Sequence, residues 1–173
     1  MEQEGARFWV RVFDPTRERL SLHWKNGDGQ PLATLAALRE AVEASGNRRL
    51  LFATNAGMFT PAAVPVGLHV EEGKELAPLN TADGEGNFFL KPNGVFFMNE
   101  RGTAGVWETE RCAKEKPGGV RLATQSGPML VRGGEIHPAF RQGSSNKVIR
   151  SGVGVTADGC TVFAISEGAV NLF

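Results

Sequence analysis

"VRLATQSGPMLVRGGEI", Val120 to Ile136, sets the grammar of this chain: a short apolar run ends on Gln125, Ser126 and Gly127, meets Pro128, and resumes before a glycine pair. The run from Val120 to Thr124 has the length of a strand, Pro128 directs a turn, and "VRGGE" supplies the φ-permissive residues of a hairpin. The same alternation of short run and turn recurs on both sides. "VGLHVEEGKEL" (66–76), "NFFLKPNGVFFMNE" (87–100) and "VIRSGVGVTADGCTVFAIS" (148–166) are strand-sized, and "EEGKE", "KPNG" and "TADGC" mark their turns. Twenty-two glycines, eleven phenylalanines and no tyrosine fit many tight turns between short strands.

Working back toward the start, "RRLLFAT" (48–54) reads as a further short strand running into Asn55, Ala56 and Gly57. Leu35, Leu38 and Val42 recur at helical spacing after Pro31, and Gly46 lies where a left-handed C-terminal residue is wanted, so one helix is expected over about 32–46. Phe8, Val10 and Val12 alternate with Arg7, Trp9 and Arg11, the period of a strand. "RLSLHWKNGDGQP" (19–31) reads as its hairpin partner, closing on "NGDG". The polar stretch "ETERCAKEKPGG" (108–119) reads as a solvated or mobile loop. These signals predict an α+β fold: a twisted mixed or antiparallel β-sheet system with one clear helix packed on it.

The composition narrows the function. A chain of 173 residues with 41% apolar and 22% charged side chains can bury a core, and one domain spanning 1–173 is expected. Nineteen basic residues balance nineteen acidic ones, and the nearest basic run is Arg48 with Arg49, so nucleic acid is not an expected partner. No apolar run approaches the ~20 residues of a spanning helix, and "MEQEGARFWV" lacks the features of a signal peptide. Cys112 and Cys160 have no CxxC spacing and no companion histidines, which argues against zinc; whether they pair is open. No cofactor is expected, with a divalent metal left open.

Five ordered phrases, "TNAGMF" (54–59), "PVGLHVEEGKELAPLNTADGEGNFFLKPNGVFF" (65–97), "QSGPMLV" (125–131), "IRSGVGVTADG" (149–159) and "VFAISEGAVNLF" (162–173), together resemble the phosphodiester glycosidase family. That family includes the catalytic domain of the mannose 6-phosphate uncovering enzyme and bacterial relatives, and the "NAGMF" turn is similar to its bacterial branch. The resemblance implies hydrolysis of the bond between a sugar anomeric carbon and a phosphodiester oxygen, on a small-molecule or glycan phosphodiester substrate. Members often act outside the cytoplasm, which implies a bacterial, periplasmic or extracellular setting. They also continue past "NLF" with a helix and an Asp-Gly strand, so the chain is expected to be incomplete at its C-terminus.

Such chemistry needs an anion anchor, oxygen-binding donors and a carboxylate. Arg150 matches the family's arginine and carries a fork suited to phosphate; by position alone it also fits a surface arginine at a strand start. Glu167 in "ISEG" occupies the slot of a strand-end carboxylate and is the acid/base candidate beside Arg150. Asn55 and Gly57 form an oxygen-binding corner or an ordinary Asn-Gly turn, with Met58 and Phe59 packing behind it. Gln125, Ser126 and Gly127 either face a cleft or make a Pro-directed turn; Ser151, after the arginine, and His137, ahead of Pro138, complete the substrate-binding candidates. Ser126 lacks the G-x-S-x-G context of a nucleophile. Asp158 reads as a hairpin residue, and Asp83 as turn or ligand. The rival reading is a noncatalytic carbohydrate or cell-envelope glycan-binding module.

Overall fold

The computed structural model describes residues 1–3, 5–44 and 46–173. Their architecture is α+β and mostly antiparallel. One sheet runs in the order β1 (Glu2–Gln3), β2 (Ala6–Phe13), β11 (Thr161–Ser166), β10 (Ser151–Val155). A second runs β4 (Lys74–Ala77), β3 (His69–Glu71), β7 (Val120–Ser126), β5 (Gly94–Asn99), β6 (Ala104–Glu108), and β8 (Val131–Arg132) pairs β9 (Glu135–Ile136) in a small hairpin. The two larger sheets face each other across Phe13 and Phe163 from the first and Phe96, Met98 and Leu122 from the second. On the far side of the second sheet, Val70, Val95, Phe97 and Ala123 pack with Cys112. This division follows from period two: neighbours on one strand point to opposite faces, so β5 sends Phe96 and Met98 inward and Val95 and Phe97 outward.

The "VRGGE", "EEGKE" and "TADGC" turns lie where the sequence puts them, joining β8 to β9, β3 to β4 and β10 to β11. The N-terminal hairpin does not form. β2 pairs instead with β11 from the other end of the chain, in the register Phe13↔Thr161 to Phe8↔Ser166. The 19–31 segment crosses to the second sheet: Arg121 Nη2 donates to the Leu20 carbonyl at 2.8 Å, and the Trp24 amide donates to the Glu71 carboxylate. Only its closing turn survives locally, with Asn26 Oδ1 accepting from the Asp28 and Gln30 amides. A strand needs a free edge in register, and β11 offers six partners where 19–24 offers side chains better used elsewhere.

The expected helix is α1, Leu35–Glu43, with the Thr34 hydroxyl accepting from the Ala37 amide at 3.1 Å and Gly46 at φ +70° after its end. None of its residues is buried, so its apolar stripe faces the hollow described below. The 48–56 stretch has no regular secondary structure and is not a strand; Phe52 packs on Phe163 while Leu51 is 63% exposed. The supposed loop at 108–119 contains a second helix, α2 (Thr109–Glu115), which buries Thr109 and Cys112 against the second sheet. Its apolar face spans two residues three apart, too short a signal to stand out in a charged stretch. Arg111 lies over the Trp107 ring at 3.9 Å and pairs with Glu115 at 2.8 Å, which fixes the exposed side.

Both cysteines are free thiols. Burial pushes the Cys112 thiol up to about 11, above the unfolded value of about 8.5. Because the folded-state pKa is raised, the stability this thiol contributes is complete below the unfolded pKa and is lost as pH rises toward 11. At pH 8, alkylation of the native protein by iodoacetamide is therefore expected at Cys160 alone, with Cys112 labelled only after denaturant is added; mass spectrometry counting two adducts on native protein would contradict this.

Candidate functional site

The face of the second sheet that carries Thr124 and Ser126 looks into a cleft of about 1580 Å³ between the two sheets, roofed by the 48–59 segment. Asn55, Gly57, Ser126, Gly127, Arg150 and Ser151 all line it. The contacts that gather them are specific. Ser151 Oγ donates to Asn55 Oδ1 at 2.7 Å, across ninety-six positions of sequence. Because that oxygen is engaged, the Nδ2 hydrogens are the free end of the Asn55 amide. Two residues on, Gly57 sits at φ +61° directly on β7, where a Cβ would lie 2.2 Å from Thr124 Oγ1 and 2.9 Å from the Gln125 carbonyl. The Met58 amide donates to that same carbonyl at 3.2 Å. The turn is thus riveted to the end of β7, one residue from Ser126, and glycine is required both for φ and for space.

Arg150 is anchored through its backbone. Its amide donates to Ser166 Oγ at 2.9 Å and its carbonyl accepts from the Ser166 amide at 2.9 Å. The guanidinium donates only to Asn146 Oδ1, at 3.3 Å, and has no carboxylate within 4 Å among the described residues. Its Nε is shut from solvent without an acceptor. A cation in this state keeps its charge available for an anion. Ser166, buried at the end of β11, was not singled out from the sequence; its pairing with the Arg150 main chain is a tertiary matter.

Three candidates stand elsewhere. Gln125 is 1% exposed and points to the opposite face from Ser126. Its Oε1 accepts from the Leu68 and Asn80 amides at 3.0 Å each, and its Nε2 donates to the Asn80 carbonyl at 2.7 Å and Thr109 Oγ1 at 3.1 Å. All four valences are spent inside the protein, so its role is to tie the 66–80 segment and α2 to β7. His137 is buried outside the cleft, with Nδ1 accepting from the Ala139 amide and Nε2 3.2 Å from the Lys91 carbonyl. Glu167 turns away to pair with Arg7 Nε at 3.0 Å. Asp83 also lies apart; a hydrogen bond from Lys91, at 2.6 Å, holds its carboxyl below the usual range. Asp158 lies in the β10–β11 turn, bonded to the Thr156 hydroxyl. Among the described residues no three of His, Cys, Asp or Glu converge at metal-ligand spacing, and no helix is long and apolar enough to cross a membrane.

Gly127 closes the site from below: a Cβ there would meet the Phe88 carbonyl oxygen at 2.3 Å and the Asn87 oxygen at 2.8 Å. Both are backbone atoms that cannot swing aside. Gly127→Ala is expected to cost about 3 kcal/mol by overpacking, while Gly118→Ala, with nothing within 4 Å, should be near neutral. Urea denaturation of the two variants checks the contrast, and equal midpoints would contradict it.

The sequence model of the phosphodiester glycosidase family matches residues 48–172. A curated relative, the uncharacterized protein YigE of Escherichia coli (strain K12), is 34% identical over 160 residues, covering 92% of this chain and 61% of the relative. The chain thus spans less than two thirds of that relative's length. No solved structure matches it.

Proposed function

The chain belongs to the phosphodiester glycosidase family, and from that premise we propose that its cleft binds a glycosyl phosphodiester and hydrolyses the bond between the anomeric carbon and the phosphodiester oxygen. The observation that supports this reading is that Arg150, which has no carboxylate partner among the described residues, lines one cleft together with Asn55 and Ser126. In the proposed complex Arg150, Asn55 and Ser126 hold the phosphate oxygens, and Ser151 orients the Asn55 amide. Water adds its oxygen to the anomeric carbon as the carbon–oxygen bond to phosphate breaks. The phosphomonoester leaves with the bonding electron pair, and the proton of water passes to Glu167.

Glu167 must first leave Arg7. Their pair is a surface contact, 73% and 30% exposed, of a kind worth about 0–1 kcal/mol, and Glu167 directly follows Ser166, the residue bonded to Arg150. Glu167→Gln is therefore expected to lower kcat about 10²-fold or more, while Arg7→Ala changes it by less than threefold. Steady-state kinetics on both variants decide; an undiminished rate for Glu167→Gln would remove the carboxylate from the mechanism.

One observation favours the second reading, a noncatalytic glycan-binding module. The carboxylates lining the cleft, Glu18 and Glu108, are tied to Arg11 and Arg132, leaving no free carboxylate there among the described residues. Incubation with a panel of glycosyl phosphodiesters, followed by release of reducing sugar and phosphomonoester, separates the two. Turnover supports the hydrolase; saturable binding without turnover supports the module.

A further inference from the structure

Although basic and acidic residues balance over the whole chain, the cleft does not share that balance: eight arginines line it against Glu18 and Glu108. A concave surface dominated by one sign focuses its field and concentrates ligands of the opposite charge. Most of these arginines already have carboxylate partners, such as Arg11 with Glu18 and Arg132 with Glu108. Arg48 and Arg49 make no ion pair among the described residues. Glu43, whose carboxyl is kept low first by the Leu50 amide, then by Arg39 and in part by the charge of Arg49, is engaged by the first two.

Arg48 and Arg49 stand at the start of the irregular 48–56 segment, and Asn55 stands near its end. Six residues of extended chain reach at most about 20 Å, so two anion-binding points are strung along one wall. The cleft volume, about 1580 Å³, exceeds the roughly 300–1,000 Å³ of ordinary small-ligand sites. Between the two points the wall is apolar, with Leu51 exposed, and Phe59, 55% exposed, flanks the Asn55 turn. Alternating cationic and apolar stations suit a chain in which phosphates alternate with sugar rings, whose C–H faces pack on apolar and aromatic side chains.

We propose, resting on the reading above, that the substrate is a segment of a poly(glycosyl phosphate) chain: one phosphodiester sits at Arg150 and Asn55, and a second, along the same strand of polymer, is held by Arg48 and Arg49. Arginine suits both points because its fork meets two phosphate oxygens at once. The linked second contact raises affinity as an intramolecular event.

The test is calorimetric binding of synthetic oligomers of hexose 1→6 phosphodiester carrying one, two or three phosphates, at fixed low salt. The full chain is expected to gain about tenfold or more in affinity from one phosphate to three, and the gain is expected to disappear in R48A/R49A and to reverse in R48E/R49E. Circular dichroism of both variants establishes that these exposed positions leave the fold intact. Equal affinity for one and three phosphates, or a gain that persists in R48A/R49A, overturns the inference. So does a single-stranded oligonucleotide of equal phosphate count that shows the same gain and the same arginine dependence. Oligomers that bind with the arginine-dependent gain yet are never cleaved would remove the hydrolase reading and leave the polymer site standing.

Discussion

Alanine at position 150 is expected to lower kcat/KM for a glycosyl phosphodiester by about 10³-fold, roughly 4 kcal/mol of transition-state binding, while the melting temperature stays within a few degrees of the parent's. The separation of these two effects is the substance of the prediction. Arg150 is held in the sheet by its main chain, through the Ser166 hydroxyl and amide, and its side chain makes one weak contact, to Asn146. Removing the side chain therefore leaves the fold its anchors. What is lost is a cation lining the cleft that lacks a carboxylate partner among the described residues. In the proposed reaction charge gathers on the departing phosphate as the anomeric bond breaks, and a preorganised guanidinium would stabilise it more in the transition state than in the substrate. Lysine should recover part of the loss, since it restores charge without the two-pronged geometry. Kinetics and thermal melts of both variants decide, and an alanine variant as fast as the parent would sink the anchor.

The second large effect is on stability. Gln125→Leu, close in volume, is expected to destabilise the protein by about 4 kcal/mol. The leucine leaves the Leu68 amide and both main-chain groups of Asn80 without partners in a partly buried setting, each at about 1–3 kcal/mol. The loss is also cooperative. The 66–80 segment, α2 and β7 meet at this one amide, so their docking loosens together. A urea midpoint that falls with an unchanged m-value is the expected signature; a shift below 1 kcal/mol would mean that water replaces the lost contacts.

Gln125 also shows where sequence reading falls short. Alternation along β7 places Gln125 and Ser126 on opposite faces whatever the fold, yet the residue types alone do not tell which face meets the cleft. Both are polar, both stand at a strand end, and both were natural ligand candidates. The structure separates them: Ser126 is exposed in the cleft and Gln125 is sealed beneath α2. The same blindness affects Glu167 and His137, whose partners, Arg7 and the Lys91 carbonyl, are distant in sequence. Nor could the 19–31 segment be seen leaving its hairpin, because its alternation is genuine and only the competing edge of β11 diverts β2.

Local chemistry determined what is local. Turn residues fixed the β3–β4, β8–β9 and β10–β11 hairpins, helical spacing with Pro31 and Gly46 fixed α1, and the ordered phrases fixed the family, because each signal lies within a few consecutive residues. Which strands pair across the chain, which face of β7 looks inward, and that Ser151 meets Asn55 were decided by tertiary structure alone. Those outcomes depend on competition among distant edges and on the burial of polar groups that must all find partners at once, a condition satisfied only when the whole chain is packed.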